Sequence, residues 1–150
     1  MKKNTNKGFT LVELIVVLVI LAILAAILVP ALLGYIDRAR KNQVVLNAKS
    51  YLTAAQAEMS SLYGEKKEPS VIEDRATTVQ ETADVPAADE VKVGCKAAFD
   101  SSKKFTKDNH DAFVISYVYY KEGEVELYFD GSSWGETKPA DPASGLFSIK

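Results

Sequence analysis

The chain has 150 residues, with 18 basic and 20 acidic side chains, 47% apolar residues, one His and one Cys. That balance allows one domain, excludes the composition of a disordered chain, and argues against nucleic-acid binding through bulk positive charge. The average hides a segregation: 22 of the 25 residues from Phe9 to Leu33 are apolar, interrupted by Thr10, Glu13 and Pro30, so a globular domain of even composition is excluded as well.

Lys2, Lys3 and Lys7 open the chain with no acid before Gly8. Leu14 to Ile36 then runs 23 residues without a charge, roughly 35 Å as a helix against a hydrocarbon core of about 30 Å. The run is too long for a cleaved secretory signal, whose apolar core is about 7–15 residues. It can span a bilayer, and the positive-inside rule keeps the lysines cytoplasmic and sends everything after Ile36 outside. A plain anchor does not explain Gly8-Phe9-Thr10-Leu11-Val12-Glu13, which sets a carboxylate at the mouth of the span. An ionisable residue there marks function by default.

Lys7-Gly8-Phe9-Thr10-Leu11-Val12-Glu13-Leu14 followed by the apolar run resembles the class III signal of type IV prepilins. The resemblance implies cleavage by prepilin peptidase between Gly8 and Phe9, removing residues 1–8 as a leader, and N-methylation of the new Phe9 amine. It also implies polymerisation through the N-terminal helix on a pilus assembly platform. Pro30, Gly34 and Tyr35 fall where pilins carry a helix-bending Pro and a polar exit from the membrane. The motif covers about residues 7 to 40, and pseudopilins share it. The implied fold is α+β, a lollipop in which one long N-terminal helix packs against a small antiparallel C-terminal sheet.

Elementary electrostatics supports an assembly role for Glu13. The cleaved Phe9 amine is a cation at neutral pH, and a Glu four residues on lies about 6 Å up the helix. Bundling apolar helices takes both charges out of water, where each needs a partner. Glu13 then keys the vertical offset between subunits by pairing with a Phe9 amine; the alternative is a Glu reaching lipid headgroups alone. Pro30 removes a helical hydrogen bond and clashes one turn back, so a kink or local melting is expected there, with Gly34 adding freedom.

The helix is expected to continue from residue 37 to 63. Val45, Ala48, Leu52, Ala55, Met59 and Leu62 recur at spacings of three and four, with Asp37, Arg38, Arg40, Lys41, Lys49 and Glu58 off that stripe and Gly64 as C-cap. Phe9 to Tyr63 then forms one helix roughly 80 Å long. Residues 64–112 read as an exposed, variable connection. Within it Ser70-Val71-Ile72-Glu73 has the form of a capping box opening a short helix to Ala83, Pro86 interrupts regular structure beyond that helix, and Glu90 to Gly94 forms a short strand.

Residues 113–150 are β in character, with Phe113 to Tyr120 and Glu124 to Phe129 alternating about a loop of Lys121-Glu122-Gly123. This register sets Tyr119 beside Val125, Tyr117 beside Leu127 and Ile115 beside Phe129. Asp130-Gly131 turns the chain again, and Trp134 and Leu146 to Ile149 supply a further strand.

Catalysis finds no support: His110 and Cys95 are too few for a zinc site, and no nucleophile or phosphate-binding motif occurs. No enzyme and no cofactor are expected. Asp130, Asp141 and their Ser neighbours offer oxygens to calcium, without EF-hand spacing. The single Cys excludes an intrachain disulfide and favours a disulfide-free pilin. The expected function is a structural subunit, cleaved, methylated and polymerised into a type IV pilus for adhesion, motility or DNA uptake. It begins as a single-pass protein of the cytoplasmic (inner) membrane with its C-terminal part outside, and ends in an extracellular filament. Its partners are copies of itself, the peptidase, the assembly platform and the membrane, with no direct nucleic-acid contact. The alternatives are a pseudopilin of a type II secretion or competence machine, and an unpolymerised membrane-anchored binding module. Removing the leader lysines leaves 15 basic against 20 acidic residues, from 18 minus 3, so the mature subunit is the more acidic.

Overall fold

The apolar run from Leu11 and the amphipathic stretch after it build one α-helix, α1, Leu11–Gly64, which runs on through Pro30 and Gly34. The computed structural model describes residues 8–99, 105–140 and 146–149, and the chain divides into two compact units, residues 1–40 and 41–150. Among the described residues, the first unit is helix preceded by Gly8 to Thr10, which form no regular secondary structure. The second is α+β: the rest of α1, a 3-10 segment Pro69–Arg75 leading into α2, Ala76–Ala83, and a five-stranded antiparallel sheet.

The buried face of α1 is wider than the expected stripe. Ala48, Ala55, Met59 and Leu62 are buried as expected, but Val44, Asn47, Tyr51 and Ala54 are buried beside them, while Val45 and Leu52 are partly covered at the flank. An apolar face spans about 100° of helix, more than one line of residues. The helix ends at Gly64, but Gly64 is its last helical residue and the cap lies beyond it. Lys66 takes the left-handed conformation (φ 56°), and the Lys66 and Lys67 amides donate to the carbonyls of Tyr63 and Leu62, both at 3.1 Å, the paired bonds of a Schellman motif. The capping box at Ser70 does not form either. The Pro69–Arg75 segment has no side-chain cap, and Glu73 instead accepts from the Ser148 amide at 3.0 Å.

The sheet comprises β1, Glu90–Cys95, β2, Ile115–Glu122, β3, Val125–Phe129, β4, Trp134–Gly135, and β5, Leu146–Ser148, in the order β4-β3-β2-β1-β5. The connecting region therefore contributes an interior strand, β1, and Trp134 and Leu146–Ser148 form two strands at opposite edges. The hairpin register also differs from the expected one. Glu122 stands opposite Val125 and Tyr120 opposite Leu127, so the loop is Gly123-Glu124, two residues, with Gly123 at φ 60°. A glycine with positive φ at the first loop position suits a tight hairpin that matches the strand twist. The change of pairing is odd in number, so it exchanges the faces of β2: Val118 and Tyr120 join Leu127, Val91, Val93 and Phe147 in the core, and Tyr119 turns to the other face against Tyr128, ring centroids 5.3 Å apart. Ile115 is still buried as expected, because Cys95 pairs with Ile115 and Gly94 with Tyr117, leaving Ser116 as a bulge that restores parity.

Two polar links join helix and sheet in the second unit. The Gln56 amide donates to the Phe113 carbonyl at 2.9 Å and accepts from the Ile115 amide at 2.8 Å, serving backbone groups at the irregular start of β2. Asn47, 1% exposed, accepts from Gln43 at 2.9 Å and donates to Glu122 at 3.0 Å, and the same Glu122 oxygen accepts from the Tyr120 hydroxyl at 2.7 Å.

Candidate processing and assembly site

Gly8, Phe9 and Thr10 precede the helix, and Phe9 is 83% exposed. Thr10 is the first residue that local chemistry pins. Its hydroxyl accepts from the Glu13 amide at 3.3 Å and donates to Glu13 Oε2 at 2.7 Å, while the Thr10 amide donates to the same Oε2 at 2.9 Å. This is a capping box: two backbone donors with no intrahelical acceptor are satisfied reciprocally. The spacing Thr-x-x-Glu at residues 10 to 13 signals it in the sequence, where the carboxylate reads first as a charge. The geometry thus brings Thr10 and Glu13 together beside Phe9 and leaves the Gly8–Phe9 bond outside regular secondary structure, just before the helix that starts at Leu11.

Beyond the box, every large apolar residue from Leu14 to Leu33 is at least half exposed, and the helix is long and apolar enough to cross a membrane. Such a surface is unstable in water and needs lipid or other helices. The helix is unbroken at Pro30 and Gly34, and a Cβ placed on Gly34 would meet nothing within 4 Å among the described residues, so Gly34 answers no close approach there. Lys2, Lys3 and Lys7 lie outside the described residues.

Residues 3–29 match the family model of the prokaryotic N-terminal methylation motif. The chain carries the signal of a type IV pilin-like prepilin. The matched segment covers Lys3 and Lys7, the Gly8–Phe9 bond, the Thr10–Glu13 box and most of the exposed apolar helix, and it points to a structural, pilin-type protein. No curated protein and no solved structure gives a match to the chain.

The second unit brings no catalytic set together among the described residues. Cys95 is fully buried, and burial pushes its thiol up to about 12, which leaves no thiolate at neutral pH. His110 stacks edge-on against Tyr63, ring centroids 5.5 Å apart. Asp130 is committed to its own turn: Oδ1 accepts from the Ser132 amide, the Ser132 hydroxyl and the Ser133 amide at 2.8–2.9 Å, and these bonds hold its carboxyl well below the usual range. Asp141 lies outside the described residues, and among the described residues no three His, Cys, Asp or Glu side chains cluster to hold a metal.

The outer face of the sheet carries an open depression of about 530 Å³ lined by Glu90, Lys92, Tyr117, Tyr119, Tyr128, Lys138 and Leu146. Lys92 pairs with Glu90, and Lys121 with Glu126 at 3.3 Å. Burial first, then Glu126 and Glu90, push the Tyr119 hydroxyl up to about 12, so the tyrosine stays neutral at neutral pH. These groups form a neutralised polar face on the sheet.

Proposed function

We propose that the chain is a subunit cleaved between Gly8 and Phe9, N-methylated on Phe9 and polymerised through residues 9–36 into a type IV pilus. The observation that carries this reading is the uncovered apolar surface from Leu14 to Leu33, most of it within the matched methylation motif. A signal that serves only as an anchor calls for no peptidase site at its cytoplasmic mouth; a subunit extracted from the membrane into a bundle needs a free, charged N-terminus and an apolar helix. In this reading the lysines hold the leader in the cytoplasm and residues after Ile36 face outside. Glu13 pairs with the Phe9 amine of a neighbour, since a charge drawn into a helix bundle is tolerated only when paired. Pro30 and Gly34 supply the place where the helix bends on packing. The role is structural and calls for no cofactor, metal or nucleic acid.

Mass spectrometry of the N-terminus of subunits sheared from cells tests it. The expected species starts at methylated Phe9 and comes from filaments visible beyond the cell. An uncut Met1 start overturns the polymerisation reading in favour of an anchored binding module. A processed N-terminus without surface filaments, together with failed secretion or transformation on deletion, assigns the chain to the pseudopilins.

A further inference from the structure

We infer that Thr10 is a positioning residue for assembly, holding one oxygen of the Glu13 carboxylate so that the other is left for the amine of a neighbouring subunit. This rests on the reading of Glu13 as the assembly charge. Oε2 of Glu13 accepts from both the Thr10 amide, at 2.9 Å, and the Thr10 hydroxyl, at 2.7 Å. A carboxylate oxygen has two lone pairs, so Oε2 is filled from within the chain, and among the described residues Oε1 takes no hydrogen bond. A third bond, from the Glu13 amide to the Thr10 hydroxyl at 3.3 Å, closes the ring and removes the side chain's freedom to swing.

The residue type is dictated by these bonds. One side-chain atom must accept from the Glu13 amide and donate to the Glu13 carboxylate, which a hydroxyl does and an alkyl group cannot. In a bundle that excludes water nothing else satisfies those donors. An ammonium arriving from a neighbour therefore meets a carboxylate fixed in direction, with one oxygen open to a charge-assisted hydrogen bond. The box forms within residues 10–13 of a single subunit, so the carboxylate is oriented before the neighbour arrives.

The test uses full-length Thr10→Val, Thr10→Ser and Glu13→Ala chains in the native cells, each replacing the wild-type copy. Two quantities are read: the N-terminal mass of subunits in the membrane, and the amount of sheared filament. Thr10→Val keeps shape and loses the hydroxyl, so it is expected to be cleaved and methylated normally and to yield about tenfold less filament. Thr10→Ser is expected to restore the wild-type amount, and Glu13→Ala to be processed but unassembled. Normal filament from Thr10→Val with none from Glu13→Ala overturns the role of Thr10 while leaving the assembly reading intact. Normal filament from Glu13→Ala overturns that reading itself. Uncut Thr10→Val overturns the inference by moving Thr10 into recognition by the peptidase.

Discussion

Leu18 and Leu62 stand on the same helix, yet Leu18 is 55% exposed and Leu62 is 0% exposed. From Leu14 to Leu33 the helix is apolar all round and uncovered; from Val44 to Leu62 it is apolar along one face, and that face is shut against the sheet. Helix formation is common to both stretches, so it distinguishes nothing. The periodicity separates them: a helix apolar on every side is built for lipid or a bundle, and one apolar on a single face is built for the core of a domain.

Substitutions can break or sharpen this contrast, monitored in the full chain in detergent by urea unfolding with Trp134 fluorescence. The largest effect is expected from Leu62→Ala, a loss of about 3 kcal/mol from a filled core site, whereas Leu18→Ala should leave the unfolding midpoint of the second unit unchanged. Equal losses at both positions would erase the contrast. Gln56→Leu strips partners from the Phe113 carbonyl and the Ile115 amide and is expected to cost about 2 kcal/mol. Gly131→Ala comes next, at about 1.5 kcal/mol, because Gly131 has φ 93° and a Cβ there would lie 3.2 Å from the Ser116 carbonyl oxygen at the bulge. Lys66→Gly runs the other way: it relieves a left-handed residue at the end of α1 and should stabilise by about 1 kcal/mol, seen as a higher thermal midpoint.

The smallest effect concerns the acid limb of stability. Lys67, Arg75 and Ser61 bond the Glu65 carboxylate and lower its pKa from 4.5 to about 2. A carboxyl depressed in the fold contributes stability above its unfolded value and loses it as pH falls through the folded value. Stability is therefore expected to decline between about pH 4.5 and pH 2, modestly because the group is solvent-screened, and Arg75→Gln should flatten that slope. An unchanged slope in the variant would remove the link between Glu65 and Arg75.

Much of the fold was legible because its signals are local. The residues from Phe9 to Leu33 announce a span, the spacing of Ala48, Ala55, Met59 and Leu62 announces a buried face, and Glu90 to Gly94 alternates as a strand should. The misreadings share a cause, a local pattern that two geometries satisfy. Phe113 to Phe129 alternates equally well about a two-residue or a three-residue loop, and the odd difference between them exchanges Tyr119 for Tyr120 in the core. Ser70 and Glu73 have the spacing of a capping box, but Glu73 bonds the Ser148 amide from the far edge strand. At the candidate site the cleavage motif, Phe9 and Glu13 are readable from residue order alone. The Thr10–Glu13 box is equally local, and is masked by the more conspicuous charge.

By itself the sequence determined where the apolar helix begins, that its first stretch is destined for a different surrounding from its second, and that a processing signal sits at its mouth. These features are set by the order and period of side chains along one chain, which no packing can rearrange. Only the tertiary structure decided which face of β2 is buried, that β1 from the connecting region lies inside the sheet, and that Asn47, Gln56 and Glu73 are used by strands distant in sequence. Those choices depend on the pairing of segments far apart in the chain, where the competing arrangements satisfy the same local pattern and differ only in what they bury and bond.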